Sequence, residues 1–144
     1  MGTRSTIEQL NSFLRGEMSA VETYQMALGK IDHVSSLRDE LLVNLKSHQD
    51  RVLMLQDALL ACGGTPATSS GPWGAVAKVI EGGATLLGEK ATVAALEEGE
   101  DHGLADYRSD LSGLDAPTRE LVEHELLPAQ QHTHDRLRAL KHRL

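Results

Sequence analysis

The chain has 144 residues, a formal net charge of −7, one cysteine and only 3% aromatic residues. The negative charge argues against nucleic acid as a partner, because a phosphate-binding surface needs clustered Lys and Arg, and no apolar run is long enough to cross a membrane. A single cysteine cannot form an intramolecular disulfide, so we expect a cytoplasmic protein that folds as one domain over residues 1–144.

Two long helices are predicted in the first half of the chain, where apolar residues recur at helical spacing. The first runs from about residue 5 to about residue 32, and the second from about residue 36 to about residue 62. The second helix ends at Gly63-Gly64-Thr65-Pro66, because Gly after the last turn and Pro beyond it stop a helix. The short turn between the two helices predicts an antiparallel pair.

The second half of the chain predicts another pair of long helices. A short helix over about residues 75–81 is interrupted by Gly82-Gly83, and a long helix follows over about residues 84–111. Asp115 is a suitable N-cap for the last helix. That helix should kink at Pro128, which has no N–H to donate.

The connection between the two pairs, over about residues 63–83, is long enough to recross the molecule. Every apolar stripe needs a shared core. The sequence therefore predicts an all-α four-helix bundle, made of two antiparallel hairpins joined by a long crossover that contains a short helix.

Five ionisable residues fall on or beside the apolar stripes near the midpoints of their helices: Glu17, His48, Glu97, Glu100 and His134. Burying several carboxylates together costs several kcal/mol unless they are protonated, paired with cations or bound to metal. Carboxylate and imidazole ligands suit iron, manganese or zinc. We therefore predict that these five residues bind a metal ion, with Tyr24 and Tyr107 donating hydrogen bonds that orient the carboxylates.

Short motifs in all four long helices point to a known family. The segment from Glu17 to Tyr24 resembles the first helix of bacterioferritin-type proteins, in which a metal-binding Glu is followed seven residues later by a Tyr. His48-Gln49-Asp50-Arg51 resembles their second helix, and Leu96-Glu97-Glu98-Gly99-Glu100-Asp101 and His134-Asp135 resemble the later helices of bacterial ferritin-like proteins, the superfamily of bacterioferritin and rubrerythrin. The resemblance implies a ferritin-like bundle and, in active members, a carboxylate-bridged di-metal centre that reacts with oxygen or peroxide.

The sequence also departs from that family's pattern. An active ferritin-like centre has Glu-x-x-His on two helices. Three residues before His48 and His134, this chain has Leu45 and Gln131 instead of glutamate. A single metal ion, a rearranged pair of ions and a vestigial site all remain open.

Two functions follow from these expectations. One is a metal-binding protein of iron handling or oxidative-stress protection, whose ferroxidase or peroxidase activity is weak or lost. The alternative is a metal-free structural or interaction bundle, in which the buried polar layer specifies helix pairing and the formation of a homo-oligomer. Whether the protein is an enzyme stays open in both.

Overall fold

A computed structural model describes residues 3–109 and 111–144, without the side chains of residues 83–87. The described residues form helices and no strands, which confirms the all-α prediction. The helices are α1 (Arg4–Leu28), α2 (Ser36–Ala61), α3 (Gly74–Arg108), α4 (Ala116–Leu121) and α5 (Leu127–Arg143), with a 3₁₀ turn at Leu111–Gly113 and a π-helical turn at Val122–Leu126. None of the described helices is long and apolar enough to cross a membrane.

The helix α3 begins earlier than predicted. Gly82 and Gly83 lie inside it, so the predicted interruption at this pair is wrong. The break is at Gly88, whose φ of 85° and ψ of −179° are not helical. A positive φ favours glycine, because glycine has no Cβ atom that would clash in this conformation. A glycine with helical φ and ψ lowers the stability of a helix but does not end the helix.

The helices α4 and α5 follow one another through the π-helical turn. Asp115 caps α4 as predicted, because its carboxylate accepts a hydrogen bond of 3.0 Å from the N–H of Thr118. Pro128 lies just after the π-helical turn, where the missing donor disturbs the hydrogen-bond ladder. A π turn takes up more residues than an α turn, since its bonds run from i to i+5. Buried positions here are accordingly four residues apart: Thr118, Val122, Leu126 and Gln130.

The core consists of two apolar clusters. The first includes Leu41, Leu96 and Leu137, and the second includes Leu14, Leu55 and Leu126. Packing of α1 against α2 and α3, and of α5 against α3 and α2, holds the clusters together. A layer of buried polar side chains shares this interior, so its groups are desolvated.

Candidate functional site: a buried ion network

His48 on α2 is fully buried, and both of its ring nitrogens face carboxylates. Nδ1 lies 2.6 Å from Oε1 of Glu17 on α1, and Nε2 lies 2.6 Å from Oε2 of Glu100 on α3. Only an imidazolium has a proton on each nitrogen and can donate to two ionised carboxylates. Burial alone would lower the pKa of His48, but the charges of Glu100 and Glu17 outweigh it and raise this pKa.

Arg51, three residues after His48 on α2, is the second buried cation. Its Nη1 lies 3.2 Å from Oε2 of Glu17. Burial raises the pKa values of Glu17 and Glu100, but Arg51 and His48 together lower both below their ordinary value. Two carboxylates and two cations leave the network with no net charge. A buried pair of this kind is stable only when the charges are balanced and hydrogen-bonded.

Two tyrosines donate hydrogen bonds to the carboxylates across the interface between α1 and α3. The hydroxyl of Tyr24 on α1 donates to Oε2 of Glu100 at 2.5 Å, and the hydroxyl of Tyr107 on α3 donates to Oε2 of Glu17 at 2.6 Å. Burial and the adjacent carboxylate raise the pKa of each tyrosine well above its ordinary value, which keeps both neutral. Each helix thus carries the same Glu-x₆-Tyr spacing, and each tyrosine contacts the glutamate of the other helix.

The helix α5 completes the network with Gln130 and Thr133. Gln130 Nε2 donates to Oε1 of Glu100 at 2.8 Å, and Thr133 Oγ1 donates to the same oxygen at 2.7 Å. Arg51 donates to Gln130 Oε1 and, over 3.1 Å, to Thr133 Oγ1. These bonds occupy the lone pairs of Glu100 and the N–H groups of Arg51, so charge and hydrogen bonding are satisfied within the protein.

Asn44 on α2 lies at the edge of the network. Its Nδ2 donates to Tyr24 Oη at 3.1 Å and to the carbonyl oxygen of Thr133 at 3.0 Å. Its Oδ1 is the one buried side-chain polar atom without a hydrogen-bond partner in the part of the chain that the structure describes. This atom is a position where a small donor could add to the network.

The structure brings three of the five predicted ligands together and separates the other two. Glu17, His48 and Glu100 meet in the network. Glu97 instead pairs with Lys141 over 3.0 Å, and Nε2 of His134 lies 2.5 Å from Oδ1 of Asp101, which is largely exposed.

The network contains four residues that the sequence analysis did not include: Asn44, Arg51, Gln130 and Thr133. A signal for Arg51 was its i,i+3 spacing from His48, which puts both on one helix face. Gln131, which stands three residues before His134 where a ferritin-like centre has glutamate, accepts a hydrogen bond from Arg108 at the surface. The π-helical turn explains this difference, because it changes which residues of α5 face the core.

The fold and site define an all-helical protein with a charge-balanced ion network in its interior. Residues 5–112 match the family described as "Domain of unknown function (DUF2383)". This match spans more than half of the chain, so the protein belongs to the DUF2383 family. It includes α1 from its second residue and the whole of α2 and α3, and therefore both glutamates, both cations and both tyrosines of the network. No curated protein and no solved structure matches the chain significantly.

Replacing Arg51 tests whether the network depends on charge balance. Arg51→Met should lower the free energy of unfolding by about 3–5 kcal/mol, because it leaves a buried carboxylate without its partner. Lys46→Met, on the same helix, removes an exposed ion pair with Asp50 and should cost about 0.5 kcal/mol or less. Urea unfolding measures both values. Adding Glu17→Gln to Arg51→Met should recover part of the loss, and equal effects of Arg51→Met and Lys46→Met would contradict charge balance.

The pKa shifts predict how stability depends on pH. Because the pKa of His48 is raised, His48 stabilises the folded protein fully at pH values below 6.5, the ordinary pKa of histidine. This contribution to the free energy of unfolding is lost as the pH rises through the folded-state pKa. Because the pKa values of Glu17 and Glu100 are lowered, these residues stabilise the folded protein fully at pH values above 4.5, and their contribution to the free energy of unfolding is lost as the pH falls through the folded-state pKa values. The network should therefore stabilise the protein most between these two pH values.

Unfolding free energies measured in pH steps check this expectation. His48→Gln should remove the decline above pH 6.5, whereas His124→Gln, at an exposed position, should leave it in place. The same alkaline decline in both variants would show that His48 does not carry it.

Proposed function

We propose that the protein is a ferritin-like four-helix bundle that works without a metal, as a structural or interaction module. The observation that carries this proposal is the zero net charge of the network formed by Glu17, Glu100, His48 and Arg51. Three carboxylate or imidazole groups at one place would otherwise favour a metal ion. Here a guanidinium group and an imidazolium proton already supply the positive charge.

The positions of these residues support the proposal in detail. A ferritin-like di-metal centre takes one Glu from each of two helices and Glu-x-x-His from each of the other two. In this chain the single glutamates are Glu17 and Glu100. The two i,i+3 pairs that face them are His48-x-x-Arg51 on α2 and Gln130-x-x-Thr133 on α5.

The residues present do not fit a di-metal centre. A guanidinium group has no lone pair for a metal and repels it by charge. Amide and hydroxyl groups are weak replacements for the carboxylate and imidazole of the second pair. Within the described residues, no three His, Cys, Asp or Glu side chains are grouped so that they could hold a metal ion.

Binding of a single metal ion is the second candidate function, because Glu17 and Glu100 each lie within hydrogen-bond distance of His48. An iron, manganese or zinc ion could replace the protons of His48, and the protein would then act in iron handling or oxidative-stress protection with weak or lost activity. Under this alternative Arg51 has to move away from Glu17. Glu97 could become a metal ligand only if its ion pair with Lys141 breaks, and His134 only if its contact with Asp101 breaks.

Metal titration distinguishes the two functions. Protein purified without a histidine tag should contain no stoichiometric iron, manganese or zinc, and added iron(II) should not raise its melting temperature. A variant with His48→Glu, Arg51→His, Gln130→Glu and Thr133→His restores both Glu-x-x-His pairs. We expect it to bind about two metal ions per chain and to melt at a higher temperature when they are present.

The opposite result supports the single-metal alternative. In that case the wild-type protein binds one ion per chain, and a variant with Glu17→Gln and Glu100→Gln does not. A His124→Gln variant is the control for adventitious binding at the surface, since His124 is exposed and lies outside the network.

A structural or interaction module needs a surface for its partner, and α2 offers one. Large apolar side chains on α2 are exposed by 42–65%: Leu42, Val43, Leu53 and Leu60. We take the partner to be a second copy of the chain, because an antiparallel copy of α2 would match these exposed side chains with one another. Two antiparallel copies of α2 that cross near its middle place Leu42 beside Leu60 and Lys46 beside Asp57.

Light scattering after size-exclusion chromatography tests this self-association. The wild-type protein should be a dimer, and Leu53→Glu with Leu60→Glu should make it a monomer, because buried charges oppose association. Val34→Glu is the matched control, since Val34 is 89% exposed but lies in the turn between α1 and α2. A monomeric wild-type protein would contradict the proposal.

A further inference from the structure

A cavity of about 160 Å³ lies between α1 and α3, next to the ion network. Its walls include three of the chain's four aromatic side chains: Phe13, Trp73 and Tyr107. The buried residues Glu17 and Gln130 also line it, while the exposed residues His102 and Asp106 lie where it meets solvent. Engineered cavities of about this volume hold a molecule the size of benzene.

The walls of this cavity are fixed by specific contacts. The backbone N–H of Trp73 donates to Oγ1 of Thr23 at 2.9 Å. The six-membered ring of Trp73 lies against Gly99, where a Cβ atom would come within 2.2 Å of Cε3. The ring therefore needs a glycine at residue 99 in order to stay in its place.

Gly16 has no such packing reason. A Cβ atom at Gly16 would meet no atom within 4 Å, although the residue lies inside α1 and lines the cavity. Glycine inside a helix is less favourable than alanine. The absence of a side chain here keeps the space between α1 and α3 open.

The charged groups around the cavity favour a cation. The carboxylate of Asp106 makes no ion pair within residues 3–109 and 111–144. Partial burial raises the pKa of Asp106, and His102 lowers it to a smaller extent. The aromatic rings of the walls add to this attraction, because the faces of aromatic rings carry negative charge.

We propose that this cavity binds a small organic cation, with an ammonium-type group between the aromatic rings and the carboxylate of Asp106. The volume, the aromatic walls and the carboxylate define this class of ligand together. The carboxylate proposed to pair with the cation belongs to Asp106, which lies outside the network, so the proposal does not depend on whether the protein binds a metal.

Fluorescence of Trp73, the single tryptophan of the chain, reports on the cavity directly. Titration with tetramethylammonium chloride should change this fluorescence in a saturable way, and sodium chloride at the same ionic strength should not. The neutral molecule tert-butanol has a similar shape, but its affinity should be lower by about tenfold or more, because it gains no cation–π attraction.

Variants separate the charge of the cavity from its shape. Asp106→Asn should weaken tetramethylammonium binding about tenfold. Asp57→Asn makes the same change in net charge at an exposed residue of α2 that does not line the cavity, and it should leave binding unchanged. Gly16→Leu should block the cavity and abolish the fluorescence change, while the urea midpoint of unfolding stays at or above that of the wild type.

Several results would overturn the proposal. They are the absence of a saturable change, an equal response to sodium chloride, and binding of tert-butanol as tight as that of the cation. Equal effects of Asp106→Asn and Asp57→Asn would also overturn it, because the cation would then respond only to the overall charge of the protein.

Discussion

The salt-bridged imidazolium of His48 is the interaction on which the interior of this protein depends. It joins Glu17 of α1 to Glu100 of α3 from a position on α2, and Arg51 supplies the charge that completes the balance. Apolar residues from the long helices pack on both sides of these charges, which therefore depend on one another for their balance. Two tyrosine hydroxyls connect α1 and α3 in both directions, and the helices can therefore pair at one relative height only.

Helical periodicity was enough to predict the parts of this interior that lie on regular helices. Inward positions of α1 and α2 recur at regular helical spacing, so the inward faces of these helices follow from spacing alone. Equal height along the helices then placed Glu17, His48 and Glu100 together, as the structure has them. Their chemistry was harder to predict, because a set of carboxylates and imidazole can be neutralised by a metal, a proton or another side chain.

The remaining members of the network were beyond what periodicity decides. Arginine is seldom buried without a partner, so the pattern alone assigns Arg51 to the surface. Glu97 and Glu100 are three residues apart on one face, and only packing determines which of them points inward. In α5, the π-helical turn makes Gln130 rather than Gln131 the inward residue. The change to i→i+5 hydrogen bonds in this turn has no sequence signature other than the nearby proline.

The zero charge of the network also limits how its residues can change during evolution. A substitution of Glu17 or of Arg51 alone leaves an unmatched charge away from water, and its cost is a large part of the stability of an ordinary domain. A lineage can leave this arrangement only by compensatory changes, or through a destabilised intermediate that selection removes. Single mutations therefore cannot exchange one set of charged partners in this interior for another.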